Sequence, residues 1–363
     1  MRPSATPLAL VLIAASACSR TPEAQSDTRA QSAPKTPSGT TPPPVAPPSS
    51  APSASADPSA GYQLPLASSG RVVAIGDIHG DLAALRGALR LGGAIDSDER
   101  WIGKGLTVVQ TGDQVDRGDQ DREVLDVIEK LESAARAAGG AFYVLNGNHE
   151  LMNALLDFRY VTPKSFATFD EFASRARELA GRLPEPELGR AAAFMPGAPY
   201  AVKLSQHLTV AKVGDSLFAH GGVLPAHVDY GLDRVNREAS AFLAGKARTL
   251  PAILSDEEGP VWTRTYGSQE IDDATCQVLA RVLAQVGAKR LVVGHTVQEH
   301  GITSACQGRL FRIDIGLSAF YGVKPPQVLE ITATGARVLR AGPTPAESTK
   351  PGKDRDSAVH SGP

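Results

Sequence analysis

Short runs of β-branched and apolar residues alternate with helical patterns through the first half of the chain. "RVVAI" from Arg71 predicts a strand, and "DLAALRGALRLG" from Asp81 predicts a helix with apolar residues at helical spacing. "LTVVQT" and "AFYVLN" repeat the strand pattern, followed by the helical runs "DREVLDVIEKLESAARAAG" and "HELMNALL". Strands separated by helices predict parallel pairing through crossovers. Each strand runs into a polar, glycine-flanked loop: "GDIHGD", "GDQVDRGD" and "GNHE". Such strand ends are where open α/β sheets build their sites. Phe166 to Phe194 predicts a helical insertion, "FATFDEFASRARELAGRL" and then "PELGRAAAF". Beyond it come strands "YAVKL", "LTVAKV" and "SLFAHGG", and the helix "DDATCQVLARVLAQVG". Strands "RLVVGH", "LFRIDIG", "PQVLEIT" and "ARVLR" follow. An α/β architecture of two packed sheets with helices outside accommodates this order.

The ends of the 363-residue chain break the pattern. Met1 to Ala17 carries a basic residue, an apolar run from Leu8 to Ala15 and then small residues, the pattern of a secretory signal too short to span a membrane. "ASAC" allows either cleavage after Ala17 or lipid attachment at Cys18, and the second reading is favoured because a secreted chain has little other use for a cysteine there. It places the protein in the bacterial periplasm, held to a membrane by lipid. Between Thr21 and Ala60, Ser, Pro, Ala and Thr fill 31 of 40 positions, which predicts a disordered tether over residues 18–60. The folded domain is expected over residues 61–341, with an insertion at 151–199 and a loose tail after it. A net charge of −2 without a basic run argues against nucleic acid as the partner. Cys276 and Cys306 form an even pair in an oxidising compartment, either a disulfide or two buried thiols.

Candidate chemistry collects in the strand-end loops. Asp77 and His79 stand two apart, so an extended strand end would point both to one side. Asp113 and Asn148 end the next two strands, and His220 and His295 end strands of the second half. Histidine with carboxylate and amide suits Mn, Fe or Zn better than Mg. Six such groups are too many for one tetrahedral zinc but suit two metals about 3.5–4 Å apart. His207, His227, His300 and His360 lack a glycine-flanked strand-end turn and read as ordinary core or surface histidines.

In this order, "GDIHG", "GDQVDRG", "GNHE", "HGG" and "GHT" resemble the metallophosphoesterases of the phosphoprotein-phosphatase type, and Arg71 to Arg340 is most similar to their Shewanella-like branch. The resemblance implies a four-layer α/β/β/α fold and a binuclear centre, with Mn the first expectation and Fe, Zn or Mg the others. It implies that Asp77 and His79 hold the first metal, that Asp113 bridges, and that Asn148, His220 and His295 hold the second. It also implies that Arg117, Asn148 and Arg264 of "GPVWTR" bind phosphate, and that His149 is the general acid oriented by Asp116. The expected reaction is hydrolysis of a phosphomonoester, on a phosphoprotein or a small molecule, by hydroxide formed at the metals. A nucleotide hydrolase of the diadenosine tetraphosphatase type is the alternative, although "GNHE" and "VDRG" differ from the GNHD-type third motif of that group. A tethered binding protein without activity would be expected to lack a ligand or the acid. Two departures from eukaryotic members, the insertion and "GLSAFYG", flank the site and leave phosphotyrosine and phosphoserine both open.

Overall fold

The strands β1 (Val72–Ile75) and β2 (Thr107–Gln110) are buried at every position, as central strands covered on both faces must be. They pair in parallel, and β2 pairs in parallel with β3 (Ala141–Val144). The crossovers are α1 (Leu82–Leu91) and α2 (Asp121–Ala137). Asp81 starts α1 by accepting the Ala84 amide hydrogen at 2.9 Å, and Leu82, Leu85 and Leu89 form its buried stripe. This computed structural model describes residues 64–66, 68 and 70–342. The predicted leader, Cys18, the tether and the tail after residue 342 lie outside the described residues.

After β3 come α3 (Asn148–Ala154), α4 (Pro163–Ala167), α5 (Glu185–Phe194) and α6 (Pro199–Leu204). Then follow β4 (Val210–Val213), β5 (Ser216–Ala219), α7 (Pro225–Tyr230), α8 (Leu232–Leu243), α9 (Ala252–Ser255) and α10 (Asp273–Val286). The chain closes with β6 (Arg290–Val293), β7 (Thr303–Ala305), β8 (Leu310–Arg312), β9 (Gln327–Thr332) and β10 (Gly335–Arg340). One sheet has the order β10-β9-β1-β2-β3 and the other β4-β5-β6-β8-β7. Alternation along the second sheet divides the core. Phe218, Val292 and Phe311 join the cluster that contains Val73, Val108 and the α1 leucines. Leu217, Ala219, Leu291 and Val293 join Val235 and Phe242 of α8 and Leu279 and Val282 of α10. The sheets therefore pack face to face with helices outside, the four layers expected.

Two local expectations fail, and β7, the short edge strand beside β8, falls where no strand was expected. "YAVKL", expected as a strand, lies in α6: Pro199 occupies the first turn, and Tyr200, Ala201 and Leu204 bury at helical rather than alternating spacing. Of the helical insertion expected from Phe166, "PELGRAAAF" lies in α5, but "FATFDEFASRARELAGRL" becomes the end of α4 and two 3-10 turns, Asp170–Arg175 and Arg177–Leu179. Phe169 sits between α4 and the first of these turns, edge-on to Phe194 and Tyr200 at 5.1 Å each. That packing, not helix propensity, sets the local path.

Cys276 of α10 and Cys306 after β7 are joined in a disulfide with a Cα separation of 5.3 Å, which settles the choice between a bridge and free thiols. The bridge closes a loop of 30 residues that contains β6 and His295. Chain-entropy reasoning assigns such a loop about 3–4 kcal/mol. Replacing both cysteines by serine should therefore lower unfolding stability by about that amount in urea titration, and wild-type protein should show neither thiol to labelling reagents without reductant. A double variant with an unchanged midpoint would contradict this.

Candidate metal centre

Strand ends from both sheets converge on one carboxylate. His79 (φ 47°), Asp113 (φ 56°), Asp116 (φ 72°), Arg117 (φ 66°) and His295 (φ 68°) all adopt the left-handed backbone that non-glycine residues avoid. Such strained turns cluster at functional sites because they aim consecutive side chains inward. They also correct the expected placement of Asp77 and His79: β1 stops at Ile75, and a left-handed turn rather than an extended end presents His79. Gly147 is needed for close approach, since a Cβ there would collide with Asp113 Oδ1.

Asp113 faces two groups of ligand atoms. Its Oδ2 lies 3.6 Å from His79 Nε2 and 3.7 Å from His149 Nε2, and its Oδ1 lies 3.2 Å from His220 Nε2. His79, Asp113 and His149 form one buried set with ligand atoms within 4.8 Å, and Asp113, His220 and His295 form the other. Backbone carbonyls fix the tautomers. His79 Nδ1 donates to Val115 O at 3.1 Å, His220 Nδ1 to Thr111 O at 2.9 Å and His295 Nε2 to Trp262 O at 2.9 Å. In neutral rings the opposite nitrogens then carry lone pairs aimed at the centre. His220 Nε2 meets His295 Nδ1 at 3.1 Å and Asn148 Oδ1 at 3.0 Å, and none of the three atoms supplies a hydrogen. Three acceptors so close are unfavourable without a cation among them, so the donor set fits a metal. Burial, followed by the charges of His149 and Arg117, pulls the His79 pKa down to about 3, against the pull of Asp113, and burial likewise lowers that of His295. Both rings are thus held in the neutral, ligating form.

Asp77, from the first loop, accepts the His295 amide hydrogen at 3.1 Å. Burial, then Asp314 and Asp113, push its pKa well up. Asp314 was not singled out from sequence, although it ends "LFRID" in the same strand-end manner; it is buried, and its pKa rises to about 6 chiefly through burial. A cation would relieve this excess of buried carboxylate. Glu150, at the end of "GNHE", has a structural part that its position alone does not reveal. It accepts the amide hydrogens of Asp113, Gln114 and Gly147 at 2.9, 2.8 and 2.7 Å, shaping the turn that presents Asp113.

His149 Nδ1 and Asp116 Oδ2 are 2.7 Å apart, both buried. Burial opposes charge on each. The Asp113 charge and the Asp116 hydrogen bond outweigh it at His149, whose pKa is raised. The His149 hydrogen bond and the Arg190 charge outweigh it at Asp116, whose pKa is lowered. Arg117 donates to His79 Nε2 at 2.6 Å and to the Tyr321 hydroxyl, and lies 5.2 and 5.5 Å from the Tyr160 and Tyr321 rings. Tyr160 belongs to the insertion and Tyr321 to "GLSAFYG", the two segments expected to flank the site, although neither tyrosine was itself a candidate. Arg264 donates to His295 O at 3.1 Å and to Thr296 Oγ1 at 3.0 Å, on the His295 side of the centre.

Packed sheets whose strand ends gather histidines and carboxylates around one aspartate define the metallophosphoesterase class of hydrolases, which act on phosphoesters. The chain belongs to the calcineurin-like phosphoesterases, whose family profile matches residues 70–299. It is 37% identical over 305 residues to Shewanella-like protein phosphatase 2 of Arabidopsis thaliana, covering 75% of this chain and 78% of that protein. Shewanella-like protein phosphatase 1 of Plasmodium berghei (strain Anka) is 29% identical over 281 residues, covering 75% and 74%. The cold-active protein-tyrosine phosphatase of a psychrophilic Shewanella species has a similar structure, with a TM-score of 0.59 at 26% identity over 77% of this chain and 82% of that one.

Proposed function

We propose that the protein hydrolyses phosphomonoesters of phosphorylated proteins, phosphotyrosine foremost. The observation that carries this is the single carboxylate of Asp113 set between two ligand groups, with His149 beside it. Asp77, His79 and Asp113 would hold one divalent ion and Asp113, Asn148, His220 and His295 the second, with Mn, Fe or Zn suited to these donors. Bound ions of this kind lower the pKa of water and neutralise phosphoryl charge. The protein's own groups supply the rest. Arg117, which donates to His79 Nε2 here, would be free to turn its N–H groups to phosphate oxygens if His79 held a metal, and those oxygens suit its planar fork. Arg264 and the Asn148 amide add donors from the opposite side. His149, its Nδ1 held by Asp116, delivers a proton from Nε2 to the leaving oxygen.

Tyr160 and Tyr321 flank Arg117, and Phe320 beside them is 61% exposed. Aromatic walls suit an aromatic leaving group, and the similar Shewanella enzyme is described as a protein-tyrosine phosphatase. The test compares a phosphotyrosine peptide, a phosphoserine peptide and diadenosine tetraphosphate with Mn, Fe, Zn or Mg added. The phosphotyrosine peptide should have the highest kcat/KM. Faster turnover of the tetraphosphate would replace this reading with a nucleotide hydrolase.

A further inference from the structure

The insertion sends one side chain beneath the site. Arg190 of α5 is 0% exposed and lies 5.3 and 4.9 Å from the rings of Phe169 and Phe194. A guanidinium so deep is tolerated only if its charge and hydrogens are matched. Its Nε donates to Asn153 Oδ1 at 2.6 Å, and one terminal nitrogen donates to Ser165 Oγ at 2.9 Å. The other terminal nitrogen reaches Asp116 Oδ1 at 2.9 Å and Asp121 Oδ2 at 2.7 Å. These partners come from the loop after β2, the first turn of α2, α3 and α4. One side chain therefore ties four pieces of chain around the carboxylate that holds His149.

Asp116 divides its two oxygens by task. Oδ2 accepts from His149 Nδ1, and Oδ1 accepts from both Asn153 and Arg190 at 2.9 Å. Asn153 is oriented in turn, because its carbonyl oxygen receives the Arg190 Nε hydrogen. With Oδ1 doubly bonded to fixed donors, the carboxylate cannot rotate, and Oδ2 stays directed at the imidazole. Asp121 brings a second buried carboxylate close by, its Oδ1 accepting the Asp116 amide hydrogen at 3.0 Å. Arg190 lies between the two acids and offsets their repulsion.

We infer that Arg190 is a positioning residue for proton transfer: through Asp116 it fixes the ring of His149 so that Nε2 faces the leaving group. This rests on the role proposed above for His149. Arg190 is too deeply buried to touch substrate, so its effect must pass through the dyad. Lysine keeps the charge but is a single point donor, unable to span Asn153, Ser165 and both acids at once.

The test uses the full metal-loaded chain. Steady-state kcat/KM is measured on an alkyl phosphate and on p-nitrophenyl phosphate for Arg190→Lys, His149→Asn and the double variant, with metal content and unfolding midpoint recorded. Arg190→Lys should lower the alkyl rate about tenfold more than the nitrophenyl rate, a fraction of the ~10²–10⁴ that a general acid contributes. In the His149→Asn background the same substitution should add no further bias, because its route is already cut. Equal losses on both substrates, or a bias that persists in the double variant, would make Arg190 merely structural. Should Arg190→Lys not fold, Ser165→Ala removes one acceptor of the same guanidinium without a charge. It should shift the ratio in the same direction, and an unchanged ratio would overturn the inference. An unbiased His149→Asn would sink the general-acid reading and this inference together, whereas a biased His149→Asn beside an unbiased Arg190→Lys would sink only the role of Arg190.

Discussion

Asp113→Asn is expected to leave a folded protein that holds little metal and has lost about 10³-fold or more of its phosphatase activity, because two-metal sites supply several kcal/mol of transition-state stabilisation. The size of the loss follows from the position of this carboxylate. Its two oxygens face His79 and His149 on one side and His220 on the other, at 3.2–3.7 Å, so one substitution damages both ligand groups. An asparagine keeps the shape but loses the charge, and it places an N–H donor against ligand nitrogens or oxygens. The fold should survive, because the Asp113 main-chain amide still donates to Glu150 and the side-chain volume is nearly unchanged. Metal analysis of the purified variant, beside its circular dichroism, is the check. Two retained ions with normal turnover would remove Asp113 from the bridging position.

His149→Asn should separate substrates by leaving group. An alkyl alcohol departs poorly unless protonated, so its phosphate should lose about 10²–10⁴-fold in kcat, the usual contribution of a general acid. p-Nitrophenolate leaves with little help, and its ester should lose clearly less. The predicted asymmetry rests on the buried 2.7 Å contact to Asp116, which together with Asp113 raises the His149 pKa against burial. The geometry favours the acid role: with Nδ1 held on Asp116, Nε2 is the nitrogen left to carry a proton towards the leaving oxygen. Metal content should be unchanged. Because His149 Nε2 also lies 3.7 Å from Asp113 Oδ2 within the first ligand group, loss of an ion would show that it acts as a ligand. Uniform loss on both esters would show that it only positions substrate.

The motifs "GDIHG", "GDQVDRG", "GNHE", "HGG" and "GHT" were legible because strand, turn and site residue are consecutive in each. Glycine and polar residues after a short apolar run mark the place where the backbone must turn, and the site residue sits within a few positions of it. The same locality made α1, α2, α10 and every strand but the three-residue edge strand β7 readable. Locality also set the boundary of that reading. The left-handed turns that present His79 and Asp113 depend on Gly118 and Gly147 passing close to them from other loops, so spacing along a strand misplaced Asp77 relative to His79. "YAVKL" carries both a strand-like composition and a helical burial pattern, and only its buried face decided between them. Two cysteines allowed a bridge or free thiols until the ends of the loop were brought together.

By itself, then, the sequence determined the class of fold, most of its strands and the residues at their ends, since each is a property of short contiguous runs. Tertiary structure alone decided which of those ends meet at Asp113, which side chains of the two flanking segments reach Arg117, and that Asp314 and Arg190 join the site. Arg190 lies 74 positions from Asp116 in the chain, and no periodicity spans that distance. What joins them is the energetic demand that a buried guanidinium and two buried carboxylates find one another, a constraint that exists only once the chain has folded.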